Sequence, residues 1–81
     1  MAASIMTDYG YTPEGNELID HDAAILARMA TAEQIEAART DLDVEMSLWV
    51  HFVEQGGADW HTGASWGYVR AKALRILKGQ S

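Results

Sequence analysis

The nitrogen ligands that this chain can offer a metal ion are three histidines, His21, His51 and His61. Glu17 precedes His21 by four residues and Glu54 follows His51 by three, so each pair would share one face of a helix. Two such pairs facing each other would resemble the carboxylate and histidine sites of helical bundles, although the Glu-x-x-His spacing of di-iron proteins is absent. A metal site built from these four side chains is therefore an alternative, and the main expectation is no bound cofactor.

Covalent catalysis needs a nucleophile, and the chain has no cysteine. Ser47 and His51 lie four residues apart, which is half of a catalytic triad, but no third group is evident that would orient the imidazole. We predict no nucleophile turn of the Gly-x-Ser-x-Gly type, and Gly56, Gly57 and Gly63 fit neither phosphate-binding fingerprint. From these residues we expect a protein that is not an enzyme.

Charge divides the chain into an acidic body and a basic end. The formal net charge is −6, all twelve acids lie in residues 1–59, and residues 60–81 carry four cations and no acid. The plainest interpretation is that the two parts attract each other within one fold. Because the net charge repels phosphate, we expect no direct binding of nucleic acid.

An acidic face is the first of two candidate surfaces for a protein partner. It consists of carboxylates expected on the outer sides of the first two helices: Glu33, Glu36, Asp43, Glu54, Glu17 and Asp20. Such an array approximates the phosphate spacing of a nucleic-acid strand, as in small acidic inhibitors from phages and other mobile elements that block a basic groove. The similarity is one of size and charge, and no motif assigns the chain to such a family. The other interpretation is that the acids only keep a small protein in solution.

Apolar periodicity predicts helices along most of the chain, after a loose arm over residues 1–11. The first helix begins at Thr12-Pro13 or at Asn16, both of which are good caps. The third is expected to begin at Thr62 or Ser65 and to end at Lys78-Gly79.

The second helix is expected to be long. A capping box of Thr31 and Gln34 would start it, and Gly56 would end it, so it covers about residues 32–55. The sequence thus predicts an all-α fold, a small three-helix bundle with a long central helix, in one domain over residues 12–79.

Two apolar rows run along this long helix, and the second is the other candidate surface. The first row is a regular core stripe: Ile35, Ala38, Leu42, Met46, Trp49 and Val53. The second, about 140° around the helix, is Ala37, Val44, Leu48 and Phe52. Either the helix is central and buries both rows, or one row meets a partner. The predicted anchors for a partner or a homodimer are Val44, Leu48, Trp49 and Phe52.

Two charged residues break the apolar pattern. Asp22 falls within the apolar face of the first helix, and Arg70 falls on the apolar side of the last. Because an unpaired buried charge is costly, we predict that Asp22 and Arg70 pair, either with each other or with a binding partner.

These observations favour binding over catalysis. The leading hypothesis is a small, acidic, non-enzymatic protein-binding module, which in its sharper form inhibits a nucleic-acid-binding protein by occupying its basic surface. Metal binding and an accessory role in a larger assembly are the alternatives. With 81 residues, no long apolar stretch and no cation ahead of Ile5 and Met6, we expect neither a membrane span nor a secretory signal, and hence a cytoplasmic protein.

Overall fold

The fold is all-α, as predicted. The computed structural model describes residues 16–79, which form α1 (Glu17–Met29), α2 (Ala32–Ala37), α3 (Leu42–Glu54) and α4 (Gly63–Gly79). The predicted arm over residues 1–11 and the alternative start at Thr12-Pro13 lie outside the described residues. Within residues 16–79, no helix combines the length and apolar character that crossing a bilayer requires.

Side-chain caps fix the starts of the first two helices. The Asn16 side-chain oxygen accepts from the N–H groups of Leu18 and Ile19 at 3.0 and 3.2 Å, so α1 uses the second of its two predicted caps. Thr31 and Gln34 form the predicted capping box, with reciprocal bonds of 3.1 and 2.9 Å. Both caps satisfy backbone donors that a helix cannot satisfy within itself.

The predicted helix over 32–55 is interrupted, which is the main difference from expectation. The chain turns at residues 38–40, and Asp41 then caps α3 by accepting from the N–H groups of Asp43 and Val44 at 3.0 and 3.3 Å. An aspartate cap competes with helix continuation because its side chain takes the place of the preceding turn's carbonyls. The region therefore contains two helices rather than one.

The most extensive helix–helix packing is between α1 and α4. The helix α2 packs against both α3 and α4, and α3 also contacts α1. The largest fully buried side chains come from all four helices: Phe52, Ile19, Leu26, Ile35 and Val69. A tight loop joins α3 to α4. Gly56 adopts a φ of +100°, and Gly57 lies directly against the Phe52 ring, where a Cβ atom would overlap it.

Candidate functional site

Asp22 is buried in the core, as its place in the apolar pattern predicted, and has a relative exposure of 2%. Its partner is not Arg70. The Asp22 carboxylate accepts from His61 Nε2 at 2.6 Å and from His21 Nδ1 at 2.9 Å, and the Ala58 N–H lies 3.4 Å away. Asp22 thus ties α1 to the loop that leads into α4. The predicted pair between Asp22 and Arg70 is therefore wrong, and pairing of Arg70 with a binding partner stays a prediction.

Arg70 instead lies half-buried on α4. Its Nε atom is buried, and within residues 16–79 that atom has no hydrogen-bond partner. The partner of Asp22 is thus the imidazole of His61 and not the guanidinium of Arg70. His61 lies in the loop between α3 and α4, and apolar periodicity does not predict the path of a loop.

His61 extends the network to the start of α4. Its side chain is fully buried, and its Nδ1 lies 3.0 Å from Ser65 Oγ. Since an ionised carboxylate can only accept, Nε2 carries the hydrogen that points to Asp22, and in the neutral imidazole Nδ1 then accepts from the Ser65 hydroxyl. Asp22, His61 and Ser65 thus form one continuous chain of carboxylate, imidazole and hydroxyl.

Ser65 also caps α4 together with Thr62. The Thr62 N–H donates to Ser65 Oγ at 2.9 Å, and the Ser65 N–H donates to Thr62 Oγ1 at 3.3 Å. The two caps that the sequence offered as alternatives therefore act as a reciprocal pair. Ser65 has two roles at once, because the same oxygen serves the helix start and the buried imidazole.

Ser65 was predicted as a helix cap and missed as a candidate nucleophile, although the signal was present. Residues 63–67 read Gly-Ala-Ser-Trp-Gly, which is the Gly-x-Ser-x-Gly spacing that we expected to be absent. That spacing typically marks a turn from a strand into a helix, with the serine exposed at the bend. Here it lies in the first turn of α4, with no strand in the described part of the chain.

The serine and histidine pair that the sequence did single out behaves differently. His51 Nδ1 donates to the backbone carbonyl of Ser47 at 2.9 Å, and both side chains are exposed on α3. The contact therefore joins imidazole to backbone and leaves the Ser47 hydroxyl unactivated.

The predicted acidic face is divided by internal ion pairs. Asp20 pairs with Lys72 at 2.5 Å, and Glu36 lies 3.1 Å from Arg39 and 3.7 Å from Lys78. The contacts of Lys72 and Lys78 join the basic end to the acidic body, which is the attraction that composition suggested. The other four carboxylates are exposed, and the described part of the chain gives none of them an ion-pair partner: Glu17, Glu33, Asp43 and Glu54.

The predicted apolar anchors do not lie at the surface as a group. Leu48 and Phe52 belong to the core, and Val44 and Trp49 are half-buried against it. The prediction that Leu48 and Phe52 are surface anchors is therefore wrong, because α3 directs this row into the core. The exposed row on α3 is instead Leu42, Met46 and Val50, with relative exposures of 68, 54 and 48%. The prediction that Leu42 and Met46 belong to the core stripe is therefore wrong, because α3 starts anew at Asp41 and directs them outward.

Two concave regions flank α3. The larger, of about 860 Å³, lies between α2 and α3 and includes Glu33, Asp43, Ser47 and His51 in its lining. The smaller, of about 250 Å³, lies at the start of α4 and is lined by Glu45, Met46, Trp49, His61, Thr62, Gly63 and Trp66. The smaller one borders the carboxylate, imidazole and hydroxyl chain through His61 and Thr62.

The alternative metal ligands are His21, His51, Glu17 and Glu54. Among residues 16–79, no group of three or more His, Asp or Glu side chains is arranged to hold a metal ion. His21 is bonded to Asp22, and His51 is bonded to a carbonyl on its own helix. The two predicted Glu and His pairs are thus not brought together as a site.

Comparisons with protein-family models, with curated proteins and with solved structures give no match to this chain. Its function is therefore inferred from the geometry of its own residues.

Proposed function

We propose that the chain is a small protein-binding module that holds a basic, partly apolar segment of a partner protein on the outer face of α3, without catalysis in that role. The observation that carries this proposal is the row of Leu42, Met46 and Val50, which α3 exposes next to carboxylates. The proposed partner surface is thus on α3, the helix that also carries the anchors predicted from the sequence. It uses the exposed row of Leu42, Met46 and Val50 in place of those anchors.

The apolar part of this outer face is continuous. Leu42, Met46 and Val50 are each four residues apart, so their side chains are neighbours along one side of the helix. Single exposed apolar residues are common on protein surfaces, whereas a contiguous patch is typical of an interaction site. The row therefore favours a partner that contributes apolar side chains of its own.

Charge indicates which kind of partner. By helical angle, Asp43 and Glu54 lie on one side of the row and Glu45 lies on the other, and α3 contains no lysine or arginine. A second copy of this chain that presented the same face of α3 would bring like charges together across the interface, which is costly. A segment with apolar residues flanked by lysine or arginine is complementary, and an amphipathic basic helix has that form.

The sharper version of the proposal names a nucleic-acid-binding protein as the partner. Such proteins carry basic surfaces, and the unpaired carboxylates of the acidic face would compete there with phosphate. The internal pairs at Asp20 and Glu36 reduce that face, so we place its active part around Asp43 and Glu54, beside the apolar row. A cytoplasmic inhibitor of this kind is the function that we put forward for test.

Model peptides provide the direct test. We expect wild-type protein to bind a helical peptide of leucine and lysine, and not the same pattern with glutamate for lysine, in isothermal titration calorimetry at low salt. Met46→Lys with Val50→Lys should weaken binding at least about tenfold, because charge enters the apolar row. Leu18→Lys is the matched control, since Leu18 is 56% exposed on α1. Equal binding of both peptides, or an unaffected double variant, would overturn the proposal.

Salt separates the inhibitor from the accessory-subunit alternative. Binding through carboxylates should weaken as salt is raised from 50 to 500 mM, about a threefold change in Debye length, whereas an apolar assembly contact should persist. Sedimentation velocity of the isolated chain tests the homodimer. A dimer that Met46→Lys dissociates would assign the row to self-association instead.

A further inference from the structure

We propose that Ser65 is a nucleophile activated by His61 and Asp22, and that the chain cleaves small, neutral acyl esters at the start of α4. This activity is distinct from partner binding, although its cavity shares Met46 and Glu45 with the outer face of α3. Two hydrogen bonds support the proposal: Asp22 Oδ2 to His61 Nε2 at 2.6 Å, and His61 Nδ1 to Ser65 Oγ at 3.0 Å. Both lie within the range that proton transfer requires.

Each member of this chain has the environment that its role needs. The carboxylate is buried and further held by the Ala58 N–H and by His21, so it keeps the imidazole in one orientation and favours the cation that forms on it. The side chains of His61 and Asp22 are enclosed, with relative exposures of 0 and 3%, and Ser65 as a residue is 7% exposed. All three groups are therefore shielded from bulk water.

The hydroxyl of Ser65 can present an electron pair for attack. Its closest contacts are His61 Nδ1 at 3.0 Å, which takes its proton, and the Thr62 N–H at 2.9 Å, which occupies one lone pair. Thr62 Oγ1 and the Thr62 carbonyl oxygen lie farther away, at 3.4 Å each, so attack through the second lone pair requires the Thr62 hydroxyl to donate elsewhere. The two imidazole nitrogens are used in the opposite order from the familiar serine hydrolases, in which the serine faces Nε2. The chemistry is the same, because a proton gained on one nitrogen is balanced by the carboxylate at the other.

The cavity of about 250 Å³ at the start of α4 would take the acyl group, and it adjoins Ser65 through His61 and Thr62, which line it and contact Ser65 Oγ. Its walls include Trp49, Trp66 and Met46, which suit an apolar acyl chain, and Glu45 disfavours an anionic one. Trp49 and Trp66 meet edge to face, with ring planes at 88° and centroids 5.0 Å apart. Gly63 also lines it, and its N–H belongs to the helix donors that have no partner within the helix.

The reaction is balanced with water as the second reactant. Ser65 Oγ forms a bond to the ester carbonyl carbon while its proton passes to His61 Nδ1, and the alcohol leaves with that proton as the ester C–O bond breaks. Water then attacks the acyl-serine through the same imidazole, which releases the carboxylic acid and restores the hydroxyl. Ester and water thus become acid and alcohol, with no redox change.

A fluorophosphonate probe tests the nucleophile directly, because the Oγ–P bond forms as fluoride leaves. We expect one adduct on the folded wild-type protein, located at Ser65 by peptide mass spectrometry. Ser65→Ala should remove it, and His61→Gln should slow labelling at least about 100-fold. Ser47→Ala is the matched control and should label normally, because Ser47 lies beside a histidine that bonds only its carbonyl.

A second measurement keeps the test valid if the variants unfold. Wild-type protein is labelled in buffer and in 8 M urea, with p-nitrophenyl acetate as the acyl donor in a parallel reaction. Activation by the folded network predicts labelling and acetylation of Ser65 in buffer only. No adduct in buffer, an adduct at another residue, or equal labelling in urea would overturn the proposal and leave Ser65 as a helix cap.

Discussion

Two regions of the molecule differ in which groups they bury. The junction of α1 and α4 buries polar groups, whereas the outer face of α3 exposes apolar ones. At the junction a carboxylate, an imidazole and a hydroxyl are buried and satisfy one another, through Asp22, His61 and Ser65. On the outer face of α3, by contrast, Leu42, Met46 and Val50 are left in water. The first region is complete within one chain, whereas the second gains stability only when something covers it.

This difference assigns separate tasks to the two regions. Buried polar networks constrain neighbouring elements because each member loses its partner if the geometry changes. An exposed apolar row constrains nothing within the chain, so it is free to serve an interaction. We therefore expect stability to be sensitive at the junction and insensitive on the outer face, and binding to show the reverse.

Loss of the Asp22 carboxylate should have the largest effect. Asp22→Ala leaves the His61 Nε2–H and the Ala58 N–H without an acceptor inside the core, so we expect a loss of about 3 kcal/mol in the free energy of unfolding. Urea denaturation followed by circular dichroism measures it. A change below about 1 kcal/mol would mean that the Asp22 network does not hold α1 and α4 together.

Substitution at Gly57 should come next. Gly57→Ala places a methyl group into the Phe52 ring, and we expect about 2 kcal/mol of destabilisation from the resulting shift in the core. Gly63→Ala is the control, because a Cβ atom there meets open space. If both variants unfold at the same urea concentration as wild type, the loop does not fix the junction as tightly as its packing indicates.

The ion pair between Asp20 and Lys72 should contribute little. Both side chains remain partly in water, and such pairs contribute about 0.2–1 kcal/mol. A double-mutant cycle with Asp20→Asn and Lys72→Met gives the coupling free energy, which should fall further in 1 M salt. Coupling above about 2 kcal/mol would make this pair a second structural centre of the junction.

The smallest effect on stability is expected on the outer face. Met46→Lys should change the free energy of unfolding by no more than about 0.5 kcal/mol, because the side chain is already exposed. The melting temperature and the urea midpoint both measure this. Strong destabilisation would show that Met46 packs within the fold, and the contrast between the two regions would then be lost.

Local signals in the sequence predicted much of the fold. The Asn16 cap, the box of Thr31 and Gln34 and the start of α4 at Thr62 depend on residues within four positions of one another, so spacing alone reveals them. The burial of Asp22 followed from the periodicity of α1 in the same way.

Signals over longer distances were not predicted. His61 lies 39 positions from Asp22, and nothing in the spacing of either residue indicates that they are in contact.

The break before Asp41 was missed because the apolar stripe remains regular across it, from Ile35 and Ala38 to Leu42 and Met46. Regular spacing in the sequence does not require a continuous helix, and here the two halves of the stripe point to different surroundings. The acidic face was likewise predicted residue by residue, but the lysines that α4 brings to Asp20 and Glu36 were not predicted.

The turn at residues 38–40 sets the rotational phase of everything that follows it in α3. Each residue of an α-helix advances the side-chain direction by about 100°, so one inserted or deleted residue between α2 and the Asp41 cap would swing the helix by more than a quarter turn. Leu48 and Phe52 could then not both stay in the core, and Leu42 and Met46 would no longer be the residues offered outward. The length of a three-residue connection thus determines which side of a thirteen-residue helix is exposed to solvent and to binding partners.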